Sequence, residues 1–354
     1  MNNFFTNKRV LITGHTGFKG AWLCQILLLF GAKILGISKD KFDENLFKSL
    51  NIHNRVFKSK KIDLTNYTKS KKEIMKFKPD IVFHLAAQSL VIPSIIEPKK
   101  TLENNLNSSI NVFEILKKTK SIKSFICVTS DKCYEVQKNK KKFKEDDKLG
   151  GSDPYSISKA CTELIFNFYK NNSIKTKTGY ASVRAGNIIG GGDFTEYRLI
   201  PDVIKATQNK KEIVLRDPNN TRPWQHVLDC LFGYLTLSKK IYKNPIKYSG
   251  SWNFGPKKKG IKAIDIIYLI KKNKNFKNLK IKIIKNKFKE TNFLSLNTSK
   301  SKKILKFENK ISTNEMIEKT LNWYEKLYSK EKGIIVFSDL QIKNYINKTK
   351  RYLY

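Results

Sequence analysis

Histidine and cysteine are scarce in this chain, with four His and five Cys among 354 residues. The cysteines, at 24, 127, 133, 161 and 230, form no CxxC pair. That spacing argues against a zinc site or a disulfide framework and fits a reducing cytoplasm. Long apolar runs are missing too. The most apolar stretch, WLCQILLLF, is far too short to span a bilayer and predicts a buried helix. The start, MNNFFTNKRVLITG, runs almost directly into a strand pattern, which leaves no room for a signal peptide. The expectation is a soluble, cytoplasmic protein with no membrane partner and no metal.

Acidic residues are few. Thirty Asp and Glu against 70 Lys and Arg leave a formal charge of +40. Such a charge can mark a nucleic-acid binder, because neutralising phosphates drives that association. Here, however, lysine is spread through KSKK, KNKKKFK and PKKKG, often beside Asn and Ile, and no nucleic-acid motif of known spacing accompanies it. The reading is a solvated surface that helps attract an anionic small substrate, with no nucleic acid as partner.

What is present is an α/β order. KRVLITG reads as a buried strand and FKGAWLCQILLLFGA as the helix after it, with Gly31 just past its end. KILGIS, KPDIVFHLAA and KSFICVTS read as further strands, and TLENNLNSSINVFEILKKTK as a helix between the last two. Strands alternating with helices predict a doubly wound parallel sheet covered on both faces. From about residue 190 the chain mixes loops with shorter elements, and after EKTLNWYEKL it loses clear pattern.

Three motifs carry chemistry. The first strand–helix turn reads Gly14-His15-Thr16-Gly17-Phe18-Lys19-Gly20, a GxxGxxG. Its glycines permit a tight turn and close backbone approach to a pyrophosphate, which then sits on the helix N-terminus where N–H groups and the dipole favour negative charge. The second motif, VTSDKCY, ends a strand with Ser130, Asp131 and Lys132 in a row. An acid and a base side by side at a strand end are unusual core material. Lys132 either reaches solvent, or neutralises Asp131, or shares catalysis with it. The third is YxxxK, Tyr155 and Lys159, which fall on one side of a helix. An ammonium beside a phenol stabilises phenolate, so the expectation is a Tyr155 pKa drawn down toward working pH.

Taken together, these features resemble the extended short-chain dehydrogenase/reductase superfamily. TGHTGFKG, FHLAAQ, TSDKCY, GGSDPYSISK, SVRAGNIIGGGDF, RLIPD, RPWQHVLD and WNFGP are similar to the CDP-glucose 4,6-dehydratases, over nearly the whole chain to about residue 325. The resemblance implies a Rossmann-type fold with a smaller mixed α/β C-terminal substrate domain, a bound NAD that is recycled, and CDP-glucose as substrate. Carried over by position, it makes Gly14, Gly17 and Gly20 the pyrophosphate cradle, with Thr16, Phe18 and Lys19 also in the cofactor site. Asp63 and Leu64 would meet the adenine, although on spacing alone Asp63 serves equally as a solvent-facing loop carboxylate. Ala86, Ala87 and Gln88 would line the cofactor, with Tyr155 and Lys159 also against it. Ser130, Asp131, Lys132, Tyr155 and Lys159 would form the catalytic set. Asn187, Arg198, Arg222 and His226 would hold the substrate, arginine being suited to grip phosphate oxygens bidentately.

There are departures. Many relatives place Asn at the middle of YxxxK, where this chain has Ile157. At the second strand end, Asp40 is a candidate ribose partner favouring NAD, while Lys39 beside it would tolerate a 2′-phosphate. In many related dehydratases Glu stands where this chain has Lys132. The implied chemistry gives Tyr155 the 4-OH proton, Asp131 the role of acid at C6 and Lys132 that of base at C5. To act as a base, Lys132 must shed its proton, which burial or positive neighbours favour.

The expected organisation is an NAD-binding domain over 1–188, joined by part of 222–255, a substrate portion over 189–335 and a peripheral tail over 336–354. Apolar residues on more than one face of TLENNLNSSINVFEIL and SISKACTELIFNFYK predict a homodimer, with a tetramer as the next assembly. Two rivals remain: a sugar-nucleotide 4-epimerase, for which the SDK pair is superfluous, and a silent NAD-sensing protein, which would have little need of both Tyr155 and Lys159.

Overall fold

The computed structural model describes residues 2–39, 46–136, 142–172, 178–257, 260–284, 294–329 and 332–349. Asp40, the candidate ribose partner, lies outside the described residues. Seven strands form the central sheet: β1 Arg9–Thr13, β2 Lys33–Ser38, β3 Lys58–Lys61, β4 Ile81–His84, β5 Ser124–Val128, β6 Gly179–Ala185 and β7 Gly250–Phe254. Their order is β7-β6-β5-β4-β1-β2-β3, and every pairing is parallel. The strand expectations are met. Short apolar runs such as VLIT and FICV are buried throughout because helices cover both faces of the sheet. At the edge, β3 presents KSKK, whose lysines discourage pairing with another chain.

The longer helices are α1 Phe18–Leu29, α2 Tyr67–Phe77, α3 Pro98–Lys117, α4 Pro154–Asn172, α5 Leu199–Gln208, α6 Val227–Lys243, α7 Ala263–Lys271, α8 Thr313–Tyr328 and α9 Ile334–Thr349. Helix α1 is apolar all round and buried from Gly20 to Leu27. Gly31 ends the segment at φ +71°, a left-handed value that glycine adopts without a Cβ penalty. Helices α3 and α4 pack side by side, joined by the stacked rings of Phe113 and Tyr169, 4.9 Å apart.

The order of strands brings the C-terminal ends of β1, β4, β5 and β6 side by side. The sheet reverses direction of winding between β1 and β4, the place where such folds bind ligands. Beyond the sheet, short pairs join Thr221–Arg222 to Ile261–Lys262 and Ile213–Leu215 to Ile281–Ile283.

The segment expected as a patternless tail contains α9, and α9 is docked. Trp323 Nε1 of α8 donates to Ser338 Oγ at 2.9 Å. Tyr345, 2 % exposed, donates to Asp229 Oδ1 of α6 at 2.8 Å. The apolar side chains of α9 find a partner surface that sequence reading did not foresee.

Candidate active site

The glycine turn sits between β1 and α1, pinned from beneath. Gly14, at φ +72°, lies so close to the neighbouring loop that a Cβ there would stand 2.8 Å from the Ala86 nitrogen. A Cβ at Gly20 would stand 2.1 Å from the Gly14 carbonyl oxygen. His15 turns inward, its ring hydrogen-bonded to Ser38 Oγ and Ser59 Oγ, each at 2.8 Å, and burial lowers its pKa to about 4. Thr16 N donates to Ser38 Oγ at 3.3 Å. Gly17 is the N-cap of α1, and no side chain caps that helix. First-turn N–H groups therefore face the site without a side-chain acceptor, which suits a ligand phosphate. Lys19, in the same turn, feels the charges of Arg198, Asp131 and Lys159, and burial lowers its pKa.

The loop after β4 continues this wall. Ala86 N donates to Thr13 Oγ1 at 3.3 Å, and Ala87 and Gln88 follow it. Asn105 of α3 accepts from Gln88 N at 2.8 Å and donates to Ser158 Oγ of α4 at 2.9 Å. Asn105 ties this loop to the helix of the YxxxK motif, a role sequence reasoning missed. At the far end, Asp63 Oδ1 accepts from Thr65 N and Thr65 Oγ1, and its Oδ2 pairs with Lys39 at 3.0 Å. Burial opposes its ionisation, but those hydrogen bonds and Lys39 win, leaving its pKa lowered. Leu64 is buried beside it, its carbonyl held by Asn111 Nδ2 at 2.9 Å.

The strand end at β5 opens into a single turn of 3-10 helix, Asp131–Cys133, capped by Ser130, whose Oγ accepts from Lys132 N at 3.2 Å. The same Oγ donates to Asp131 Oδ1 at 3.0 Å. Asp131 is 4 % exposed, and its Oδ2 has no hydrogen-bond partner. Burial raises its pKa to about 6, with the charges of Lys132 and Arg222 opposing. Lys132 is half-buried.

Tyr155 stands in the first turn of α4, 7 % exposed. Its pKa is raised to about 12 by burial, while a hydrogen bond with Ser130 acts to lower it. The expectation of a depressed Tyr155 pKa is thus corrected for the protein by itself: removing a phenolate from water outweighs its cationic neighbours. The same burial lowers Lys159 to about 8. Lys159 Nζ donates to the Val128 carbonyl at 3.3 Å, which brings α4 against the end of β5.

Of the four substrate candidates, Arg198 and Arg222 reach this centre. Arg198 is held by Asp193 Oδ2 at 2.9 Å and Ser89 Oγ at 3.0 Å, and its charge acts on Tyr155. Arg222 is 7 % exposed, and its charge acts on Asp131. Asn187 is half-buried at the end of β6, with its carbonyl accepting from Gln225 N. Beside it, Gly186 keeps room for the acid: a Cβ there would stand 2.9 Å from Asp131 Oδ2 and 2.4 Å from Pro223 Cγ. His226 has a part in the fold, and its Nε2 is without a hydrogen-bond partner. Its Nδ1 caps α6 by accepting from Leu228 N at 3.2 Å, and burial lowers its pKa to about 3.

A parallel sheet in this order, with a glycine cradle at β1 and a Ser–Tyr–Lys group at β5 and α4, defines an extended short-chain dehydrogenase/reductase. Residues 11–320 match the family model for GDP-mannose 4,6 dehydratase, and the chain belongs to that family. Among its relatives is a CDP-glucose 4,6-dehydratase from Salmonella typhimurium, 34 % identical over 99 % of both chains. A human dTDP-D-glucose 4,6-dehydratase is 26 % identical over 92 % of this chain and 93 % of its own. Of the solved structures, a dTDP-glucose 4,6-dehydratase from Bacillus anthracis in complex with NAD covers 91 % of this chain and 97 % of its own, with TM-score 0.75 and 22 % identity. A UDP-glucose 4-epimerase from Thermotoga maritima covers 91 % and 100 %, with TM-score 0.78 and 20 % identity. Dehydratase and epimerase superpose equally well, so the shared fold leaves the reaction to the site.

Proposed function

We propose that this protein is an NAD-dependent CDP-glucose 4,6-dehydratase, a hydro-lyase that converts CDP-glucose to CDP-4-keto-6-deoxyglucose for deoxysugar biosynthesis. The cradle of Gly14, Gly17 and Gly20, the uncapped start of α1 and Lys19 suit the cofactor's diphosphate. On this reading Asp63 and Leu64 meet the adenine, and Ala86, Ala87 and Gln88 line the cofactor. When bound, NAD supplies the hydride acceptor for C4, a positive ring that favours a Tyr155 phenolate, and the hydride for C6.

The remaining steps belong to this chain's residues. Tyr155, oriented by Ser130 and backed by Lys159, takes the proton of the sugar 4-OH as C4 becomes a ketone. The ketone acidifies C5, and Lys132 removes its proton. Asp131 gives its proton to the departing 6-OH, and water leaves. A proton returns to C5 as C6 is reduced, so the net change is loss of one water with no net redox. Arg198 and Arg222 grip the nucleotide diphosphate and sugar, with Asn187 beside them.

The observation that carries this reading is Asp131, a buried carboxyl whose pKa is raised to about 6 and whose Oδ2 has no hydrogen-bond partner, while its Oδ1 is held by Tyr155's partner Ser130. An epimerase eliminates nothing and needs no acid there. The full-length likeness to a CDP-glucose 4,6-dehydratase supports the choice of nucleotide.

We place the enzyme in the cytoplasm as a homodimer, with a tetramer as the next assembly. No helix among the described residues is long and apolar enough to cross a membrane. Leu164 and Phe168, 59 % and 60 % exposed on the outer face of α4, support the dimer, as does Ile110 of α3, 37 % exposed. The test of function is to supply a panel of nucleotide-glucoses and weigh the products. Loss of one water from CDP-glucose above all others supports the reading, and an unchanged mass with inverted C4 would replace it with epimerisation.

A further inference from the structure

Behind the active site lies an ion pair that the reaction as described does not use. Glu163 and Arg184 have side chains 0 % and 2 % exposed, and they meet in a two-pronged contact, Arg184 Nε to Oε1 at 2.9 Å and NH2 to Oε2 at 2.7 Å. Burial opposes ionisation of Glu163, but the hydrogen bonds and charge of Arg184 outweigh it, and its pKa is lowered. Both groups are therefore charged in the interior. A buried ion pair is poor evidence for stability, because desolvation offsets much of the attraction. What such a pair does well is fix geometry.

Its position is informative. Glu163 follows Tyr155 and Lys159 at successive four-residue steps, so the three share one side of α4. Glu163 Oε1 accepts from Thr129 Oγ1 at 2.5 Å, and Thr129 is the residue before Ser130. Arg184 NH1 donates to Tyr134 OH at 2.7 Å, and Tyr134 is the residue after the Asp131–Cys133 turn. Tyr134 OH in turn donates to Asn253 Oδ1 of β7 at 2.8 Å. One ion pair thus holds both ends of the turn that presents Ser130, Asp131 and Lys132, while standing on the helix that presents Tyr155 and Lys159.

We infer that Glu163 and Arg184 are positioning residues that set the Ser130–Lys132 turn in register with Tyr155 and Lys159. Each catalytic group works only within a fraction of an ångström of its place, and the pair adds to the ties that Lys159 makes with the Val128 carbonyl and Tyr155 with Ser130. The pair gives both a common anchor at the level of the sheet.

Removing either charge risks the fold, so the test cuts the neutral links instead. Thr129→Val removes the bond at one end of the turn and Tyr134→Phe the bond at the other. Each variant is read by amide hydrogen exchange at Lys132 and Cys133, whose N–H groups bond within the turn, and by kinetics on CDP-glucose. The expected result in both is exchange faster by about tenfold, the worth of one hydrogen bond to a charged or bridging partner, with the protein folded. The kinetic expectation is a kcat lower by about tenfold with KM changed less than about twofold, because only the placing of reacting groups is disturbed. Unchanged exchange in both variants would overturn the inference, and so would faster exchange with normal kcat. The kinetic arm rests on the dehydratase reading. An inactive parent protein would count against that reading, while the exchange result would still decide whether the pair holds the turn.

Discussion

Ser130 Oγ donates to Asp131 Oδ1 at 3.0 Å, and the second oxygen of that buried carboxyl is left without a hydrogen-bond partner. One oxygen is anchored and the other makes no hydrogen bond, as the proposed role of acid at C6 requires. The arrangement costs stability, because a carboxylate out of water with half its hydrogen bonds unmade is poorly solvated.

That cost has a sign that can be checked. The Asp131 pKa is raised from 3.8 to about 6, so the folded protein holds this proton more tightly than the unfolded chain. This group's contribution is fully present below pH 4, weakens as pH rises through 6 and is absent above it. Asp131→Asn should therefore stabilise the protein at pH 8 by up to about 3 kcal/mol, with little gain at pH 4, while abolishing water loss. Urea unfolding at the two pH values measures it. Equal effects at both would contradict a raised pKa.

On the proposed mechanism, Tyr155→Phe removes the acceptor of the 4-OH proton. Dehydration should fall by about 10²–10⁴-fold, the worth of a positioned general base, with CDP-glucose affinity little changed. Calorimetric binding alongside turnover separates the two. Normal activity would take Tyr155 out of the mechanism.

Gly186→Ala places a methyl 2.9 Å from Asp131 Oδ2 and 2.4 Å from Pro223 Cγ. Overpacking of this kind costs about 1–3 kcal/mol. The expected outcome is kcat/KM lower by roughly 10–100-fold, with NAD affinity, measured by fluorescence titration, unchanged. Wild-type kcat/KM would show that Pro223 yields and the acid stays free.

Leu164→Glu with Phe168→Glu puts charges on the exposed apolar face of α4. If that face is the dimer contact, light scattering at micromolar concentration should show a dimer for the parent and a monomer for the double variant. A parent that is already a monomer would refute the assembly.

The glycine turn, the strand ends and YxxxK were legible in the sequence because each is local: a few adjacent residues fix both the backbone and the chemistry. The Glu163–Arg184 pair was not. Charged residues at those positions read as surface until β6 and α4 come together around them. His226 was legible only in part: its motif is visible in the sequence, whereas the use of its Nδ1 to cap α6, with Nε2 left without a hydrogen bond, is set by the fold. Gly186 gave no signal either, since its importance lies in space shared with Asp131 and Pro223. Helix α9 was missed because IIVF, rich in β-branched residues, is as strand-like as it is helical. Its helix is settled by burial of Ile342 and Tyr345 against distant parts of the chain.

The central claim is that Asp131 and Lys132 divide the elimination between them, and the most direct measurement follows C5. Incubated with CDP-glucose in heavy water, the parent protein should release a product lighter by one water and carrying one deuterium at C5. Lys132→Ala should still oxidise C4, seen as a rise in reduced-nicotinamide absorbance on the protein. Its C5 exchange and water loss should fall together by about 10²–10⁴-fold, as expected when a positioned base is lost. A Lys132→Ala variant that exchanges C5 and loses water at the parent's rate would contradict the account.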